Sequence, residues 1–369
     1  MDVPYVDLAA GYRELQPEVD EVVAGVLESG EYVLGDNVSA FEREFCRWLG
    51  ADAGEVVAVN SGTDAIYLTL KALGVGPGDE VVTVSHTAVN TALAISKTGA
   101  RPVFVDIEPG TYCMDPSLLK GAAGDRTRAV VPVHLYGHPV DLEPVMEFAA
   151  SCGIPVVEDC AQAHGATYKG QVVGTIGAAG CFSFYPTKNL GACGDGGAVV
   201  TGDPELAAKL RSLANCGQGN ERYTNVYKGD VSRLDELQAA ILRVKLKKLA
   251  GWNDRRREVA GFYREALAAT GLKLPGEEAW AKHVYHLYVV RAPDRDSLKE
   301  HLAAGGVEAM VHYPVPVHLQ PAYTGAAVTP LPETEKAVGE ILSLPVFPQL
   351  TETQLQQVVL GVSEFFREG

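Results

Sequence analysis

The stretch Ile154-Pro155-Val156-Val157-Glu158-Asp159-Cys160-Ala161-Gln162-Ala163-His164-Gly165 decides the fold. Ile154 to Val157 read as a buried strand, and two carboxylates follow it directly. A carboxylate at a strand end commonly caps the next helix. Asp159, however, stands where a parallel sheet presents its ligands, just beyond the carboxyl end of a strand. His164 alone reads as a packed, hydrogen-bonded residue.

Outward from this stretch the same rhythm repeats. Short apolar runs alternate with helical patterns: a run over 80–84, then a helix over 88–98; a run over 102–105, then a helix over 115–121; a run over 129–133, then a helix over 141–151. Several runs are β-branched and bounded by Gly, Pro or Asp. The pattern predicts an α/β fold, a mostly parallel central sheet with helices on both faces. N-terminal to it, Leu15, Val19, Val22, Val23 and Val26 fall at helical spacing and predict an amphipathic helix over 15–27.

C-terminal to it, the apolar spacing over 233–249 and further helix pattern to about 269 predict a long helical connector. Its run Arg255-Arg256-Arg257 reads as a solvated helix face. A second, smaller α+β unit follows, with strands near 284–291 and 309–313 and helices near 295–304, 334–342 and 351–366. Thr351 and Gln354 form a capping-box pair at the head of the last helix. The division expected is a large domain over 1–250 and a small one over 251–369.

Composition narrows the function. Lys and Arg total 31 against 47 Asp and Glu, a net charge of −16. A chain this acidic is not built for non-specific binding to nucleic acid or anionic lipid. An anion can still be held at a local site, at a helix N-terminus or in a glycine-rich loop. No apolar run approaches a membrane span and no signal peptide is visible. The seven cysteines show neither CxxC nor metal-ligand spacing. His312 and His318 lie six apart with no third ligand in view, so no metal site is expected. The expectation is a reduced, cytoplasmic protein.

Three more clusters carry chemistry. Asn60-Ser61-Gly62-Thr63-Asp64 joins an apolar strand to an amphipathic helix. It is an ordinary helix cap or, because Gly62 allows close backbone approach, an anion site. Ser85-His86-Thr87-Ala88 follows the run over 80–84; His86 is a surface histidine, or it stacks on a flat ligand or acts as an acid or base. Phe182-Ser183-Phe184-Tyr185-Pro186-Thr187-Lys188-Asn189-Leu190-Gly191 sets a lysine among aromatics and glycines. Most lysines are solvated, but burial lowers a lysine's pKa and makes its amine nucleophilic. Together the clusters match the needs of pyridoxal phosphate: a lysine for the Schiff base, a carboxylate at the pyridinium nitrogen, and an anion site for the phosphate.

These motifs resemble the DegT/DnrJ/StrS family of sugar aminotransferases. The likeness runs from Val6-Asp7-Leu8 and Ser29-Gly30-Glu31-Tyr32-Val33-Leu34-Gly35 through the clusters above to His312-Tyr313-Pro314 and Leu342-Ser343-Leu344-Pro345. It implies a fold type I homodimer with sites at the subunit interface, and transfer of an amino group from glutamate to a nucleotide-linked keto sugar. Lys188 then carries pyridoxal phosphate, Asp159 faces the ring nitrogen, Gln162 lies near the ring, and Gly62, Thr63 and Ser183 hold the phosphate. The Ser-His-Thr stretch favours a dTDP-linked 3-keto-6-deoxy sugar. A 4-keto sugar, a keto-cyclitol and a non-catalytic regulator are the alternatives, while Lys188 argues against relatives that are dehydratases with histidine in its place. Selectivity is expected from loops near 313–320 and 217–230, with Tyr313 and His318 at the substrate.

Two positions depart from the family. Ala88 stands where many members have an aromatic residue, so His86 is the substitute for ring stacking. Val231 stands where many have an asparagine that reaches the partner subunit's phosphate, which leaves Asn225 or a backbone group to replace it.

Overall fold

The computed structural model describes residues 2–50, 54–221, 223–324, 326 and 330–368. Its centre is a twisted sheet whose order, from one edge, is Arg101–Val105, Glu80–Val84, Thr127–Val130, Val157–Asp159, Ala179–Ser183, Gly197–Thr201 and Glu55–Val59. The first five run parallel, with the Val130–Val156 and Val133–Asp159 bridges joining the two halves. Gly197–Thr201 is antiparallel to both of its neighbours.

Alternate strand residues face opposite layers, as the pleat requires. Val56, Ala58 and Phe182 pack with Val38, Phe41 and Phe45 of the helix Asp36–Leu49. Val57, Val59 and Cys181 pack on the other face with Ile66, Leu68 and Leu70 of the helix Gly62–Ala72. The α/β expectation and the mostly parallel sheet are both met.

The first helix is longer than its apolar stripe. It spans Leu8–Ser29, starting at Asp7, whose carboxylate accepts the Ala10 N–H at 2.8 Å. The predicted connector is two helices, Glu236–Leu246 and Leu249–Ala266. Leu249 joins the sheet core, whereas Val259, Ala260 and Tyr263 enter a separate core made with Leu298, Leu302, Leu342 and Val358. Val3 from the N-terminus also enters this second core.

In the C-terminal part, a two-stranded antiparallel sheet pairs Tyr288–Arg291 with Ile341–Leu344. The helix predicted over 334–342 is Pro332–Glu340, and the chain extends into a strand at Ile341. The strand predicted at 309–313 is reduced to a bridge between Met310 and Ser343. Among the described residues no helix is long and apolar enough to cross a membrane. All seven cysteines are free thiols.

Candidate active site

The carboxyl ends of the parallel strands, the head of the helix Gly62–Ala72 and segments of the C-terminal part enclose a cavity of about 570 Å³. Gly62, Thr63, Asp159, Gln162, Ser183, Lys188 and Tyr313 all line it. Seven residues spread over 250 positions thus meet where a parallel sheet places its ligands.

Asp159 is the last residue of its strand, so its carboxylate projects beyond the sheet. Oδ1 accepts the Ala161 N–H at 3.1 Å and Oδ2 accepts the Thr91 hydroxyl at 2.8 Å. The Thr91 oxygen lies 3.1 Å from the Thr87 hydroxyl. Thr91 has one hydrogen and gives it to Asp159, so Thr87 donates to Thr91. Burial raises the Asp159 pKa; the Ala161 N–H, Thr91, and the charges of Lys188 and His134 offset part of that rise. Among the described residues no lysine or arginine pairs with it, which leaves a buried carboxylate suited to a cationic N–H from a bound group.

Glu158, its neighbour, plays a different part. It points to the opposite side and accepts from His134 Nε2 at 3.1 Å, Gly174 N at 2.7 Å, Ile176 N at 2.9 Å and Gly177 N at 2.7 Å. Burial alone would raise its pKa, but the His134 contact and the backbone donors outweigh burial and lower it. His134, Glu158 and Cys160 lie close enough for a metal. The histidine's Nδ1 already accepts the Val140 N–H at 3.0 Å and its Nε2 faces Glu158, so no ring lone pair is left for an ion.

Lys188 sits in a turn that follows the strand Ala179–Ser183, its N–H donating to Tyr185 O at 2.8 Å. A Cβ at Gly191 would stand 2.3 Å from Pro186 O, so this tight return requires glycine. No hydrogen bond or ion pair among the described residues engages the Lys188 amine. Burial lowers its pKa to about 8, against the opposing pull of Asp159. A useful fraction is therefore unprotonated near neutral pH, the state that attacks a carbonyl.

The anion cradle is built from a helix start. Ser61 Oγ caps the Asp64 N–H at 3.1 Å, and the N–H groups of Gly62 and Thr63 have no acceptor within the helix. The Thr63 hydroxyl accepts from Asn90 at 2.8 Å and the Ser183 hydroxyl accepts from Tyr185 N at 3.3 Å, which leaves both O–H hydrogens free to donate. A Cβ on Gly62 would fall 2.6 Å from Ser183 Cβ, and one on Gly197 would fall 2.4 Å from the Ser61 carbonyl carbon. Opposite, Gln162 is fixed at both ends: Oε1 accepts Tyr136 N at 2.7 Å and Nε2 donates to the Tyr313 hydroxyl at 3.0 Å. Burial pushes the Tyr313 pKa up to about 12. Lysine, carboxylate and anion cradle fit pyridoxal phosphate.

Two expected contacts, those of His86 and His318, are not made within the chain. His86 lies outside the lining, buried against Tyr112 and Tyr136, with Nε2 at 2.7 Å from the Tyr136 hydroxyl. Successive side chains of this turn diverge: Thr87 and Ala88 face the cavity and His86 faces the core. Burial lowers the His86 pKa to about 4, so the ring is neutral. His318 is also outside the lining. Its Nδ1 is 2.7 Å from the Ser85 hydroxyl and its backbone N–H donates to the same oxygen at 3.1 Å, so it ties the segment Val317–Leu319 to the sheet. Asn225, expected at the partner subunit's phosphate, donates one amide hydrogen to Cys216 O at 2.8 Å. Val231 is exposed, bridging to Asn215 through its backbone.

The cavity also holds Tyr5, Thr91 and His286, to which the sequence reading gives no role, and Arg256, which it reads as solvated. The arginine run is no uniform solvated face. Arg255 and Arg257 pair with Glu258, Glu352 and Glu277, but Arg256 is buried, with Nη1 donating to Val346 O at 2.6 Å, Tyr285 O at 3.3 Å and His286 O at 3.4 Å. The signal lies in the helical stripe Asn253, Arg256, Val259, Ala260 and Tyr263, all buried.

Comparison with known proteins agrees with this geometry. Residues 13–363 match the model of the DegT/DnrJ/EryC1/StrS aminotransferase family. The chain is 48% identical over 366 residues to dTDP-3-amino-3,4,6-trideoxy-alpha-D-glucose transaminase of Streptomyces venezuelae, covering 98% of this chain and 96% of that one. It is 43% identical over 356 residues to UDP-N-acetyl-3-dehydro-alpha-D-glucosamine 3-aminotransferase of Acidithiobacillus ferrooxidans, covering 96% of each. The crystal structure of S. venezuelae DesV in complex with a ketimine intermediate superposes with a TM-score of 0.95 at 48% identity, over 99% of this chain and 98% of that one.

Proposed function

The chain belongs to the DegT/DnrJ/EryC1/StrS aminotransferase family, and from that membership we propose that it moves an amino group from glutamate to the C3 carbonyl of a dTDP-linked 3-keto-6-deoxy sugar. It is a pyridoxal-phosphate-dependent sugar aminotransferase. One observation carries the reading: an amine and a carboxylate, neither paired with an oppositely charged side chain among the described residues, and a helix start with free N–H groups share one cavity. Both relatives described above are named for an amino group at sugar C3, which supports that carbon, and the greater likeness to the dTDP enzyme supports that nucleotide.

The residues divide the work. The Gly62 and Thr63 N–H groups with the Thr63 and Ser183 hydroxyls hold the phosphate. Asp159, oriented by Thr91 and the Ala161 N–H, holds a proton on the ring nitrogen. Pyridoxal phosphate held there would supply an electron sink for a substrate carbon that loses its proton. Lys188 would hold the cofactor through its amine, and as a free amine it would move the proton between the two substrate carbons. Its pKa near 8 suits both directions. Gln162 and Tyr313, locked to each other, form a fixed wall that orients the substrate.

The reading includes a homodimer with shared sites, supported by exposed apolar side chains at Tyr32, Val33, Leu34, Val226, Tyr227 and Val231. It also includes a large domain over 1–250 and a small one over 251–369, supported by a second core drawn mostly from the C-terminal part, although Val3 joins that core and Val284, Leu287, Val289, Ala337 and Ile341 join the sheet core. The test is glutamate-dependent amination of a panel of dTDP- and UDP-linked 3-keto and 4-keto sugars and a keto-cyclitol. Product mass and the position of the new amine are read. Amination at C3 of the dTDP sugar is expected. Turnover confined to 4-keto or cyclitol substrates overturns the assignment.

A further inference from the structure

His286 presents a bare acceptor to the cavity, and two backbone carbonyls fix which of its nitrogens that is. The Val284 and His164 carbonyl oxygens can only accept. Asn253 Nδ2 donates to His164 O at 2.8 Å, so Asn253 Oδ1 faces Asn189 and accepts from its Nδ2 at 2.8 Å. The same Asn189 amide donates to Val284 O at 3.1 Å. Both of its hydrogens are thereby used, and Asn189 Oδ1 is left as an acceptor 3.1 Å from His286 Nδ1. His286 Nδ1 therefore carries a hydrogen. Burial and the charge of Lys188 hold the ring's pKa well below the ordinary 6.5, so the ring is neutral and that hydrogen is its only one. Nε2 keeps a lone pair. It has no hydrogen-bond partner among the described residues, and His286 is 6% exposed in the cavity lining. Two other histidines feel the Lys188 charge but are not fixed in this way. His164 lies outside the cavity lining, and His312 Nδ1 faces the Ser343 hydroxyl, which can give or take a hydrogen.

A buried acceptor is costly until a donor reaches it. The Lys188 charge is the largest acting on His286, and Asn189, which holds the ring, is the next residue in the chain. The Lys188 amine is a donor without an acceptor among the described residues, and it lines the same cavity. We propose that His286 is a positioning residue for Lys188: its Nε2 accepts one N–H of the lysine's amine when that amine is free of the cofactor. The assignment rests on the reading of Lys188 as the residue that holds the cofactor. A lysine amine turns freely at the end of a four-carbon stem. Holding one of its hydrogens on Nε2 stops that rotation and points the lone pair in a set direction, toward the proton that Lys188 moves between substrate carbons. The ring does this without taking the proton itself, because burial disfavours the imidazolium.

Nitrogen NMR of the holoenzyme, labelled at histidine, reads the ring directly. The His286 resonances are assigned by their loss in His286→Leu or His286→Gln, and either variant suffices where the other does not fold. Near neutral pH they should show a hydrogen on Nδ1 and none on Nε2. Reaction with glutamate frees the lysine, and the Nε2 resonance should then move in the direction of an accepted hydrogen bond. A hydrogen on Nε2, or an Nε2 resonance that stays in place when Lys188 is freed, overturns the proposal. Stopped-flow absorbance with glutamate, and with glutamate deuterated at its α-carbon, gives the second readout. His286→Leu removes the acceptor and should slow the proton-transfer step about tenfold, the loss of one hydrogen bond. Its isotope effect should rise, while the apparent dissociation constant for glutamate moves less than about 3-fold. In His286→Gln the amide oxygen can stand in for Nε2 but the bond to Asn189 is lost, and most of the rate should return. A ring that only braces Asn189 slows both variants equally, and that result overturns the proposal. A Lys188→Ala protein that keeps the visible band defeats the lysine's role and this proposal with it. A band lost in Lys188→Ala together with an unmoved Nε2 resonance in the wild type defeats this proposal alone.

Discussion

The Thr91 hydroxyl donates to Asp159 Oδ2 at 2.8 Å, one of two hydrogen bonds that hold this buried carboxylate in its charged form. The helix Val89–Lys97 carries Thr91, and Thr87 at the end of the preceding turn orients it. Asp159→Ala is expected to retain some cofactor and lose nearly all turnover. Thr91→Val keeps the shape and removes one bond to a charged acceptor, a loss of about 1.5–3 kcal/mol of support for the ionised carboxylate. Steady-state kcat should therefore fall about tenfold or more in Thr91→Val. Full activity in Asp159→Ala would sink the proposed role of the carboxylate.

Lys188 sets a pH dependence with a definite sign. The free amine is the nucleophile, and its pKa is held to about 8 by burial. Loading of the apoprotein with pyridoxal phosphate should be slow at pH 6, rise with pH and level off above about 8. A midpoint near the ordinary lysine value of 10.5 would show that burial does not act on this amine. Lys188→Ala should lose both the visible band of covalently held cofactor and its fixation by borohydride.

The cradle at Gly62 has no room for a methyl group. A Cβ there would sit 2.6 Å from Ser183 Cβ, so Gly62→Ala must push the helix start away from the strand end. Strain of this kind costs about 1–3 kcal/mol, and here it also spreads the phosphate donors. Thermal melting and cofactor titration should both show the loss. Gly25, inside the first helix with nothing within 4 Å of its added Cβ, is the control. Gly25→Ala should be neutral or stabilise by up to about 1 kcal/mol.

Glu158 contributes stability that depends on acid. Its pKa is lowered below the ordinary 4.5, so the folded state favours the carboxylate more than the unfolded state does. That contribution is complete above the unfolded value and is lost as pH falls through the lower folded value. Glu158→Gln turns one oxygen into an NH2 facing backbone donors and should cost about 3 kcal/mol at pH 7. The variant should also lose less further stability between pH 5 and pH 3 than the wild type, as measured by denaturant midpoints. An unchanged acid slope would contradict this account.

The sequence shows the sheet rhythm and the lysine–carboxylate–cradle set because both follow from local pattern: an apolar run, then polar residues at its end. It is less informative where long-range packing decides. The predicted strand over 154–157 pairs instead over Val157–Asp159, since Pro155 has no N–H to give a ladder. Ile341 and Leu342 close the helix predicted over 334–342, yet pairing with Tyr288–Arg291 draws Ile341–Leu344 into a strand. His86 and His318 are polar in sequence, but both are buried in hydrogen-bonded positions behind the cavity. Arg256 is hidden by its charged neighbours, and only its register with Asn253 and Val259 separates it from them.

Val231 marks a place where the family's pattern is broken without structural need. The side chain is exposed, and its backbone alone makes the bridge to Asn215. Substitution at an exposed position of this kind changes stability by no more than about 0.5 kcal/mol. The resemblance places a donor here to reach the phosphate bound by the partner subunit. If the sites are shared in a dimer, Val231→Asn adds an amide N–H to that phosphate and should tighten cofactor binding several-fold without altering the melting temperature of the apoprotein. Asn225→Ala then distinguishes the replacement. One of its two amide hydrogens goes to Cys216 O, so losing this loop support should loosen the loop and leave cofactor affinity largely unchanged. Cofactor titrations of the two variants measure both effects, and a large drop in affinity for Asn225→Ala with none gained in Val231→Asn would assign the partner contact to Asn225 instead.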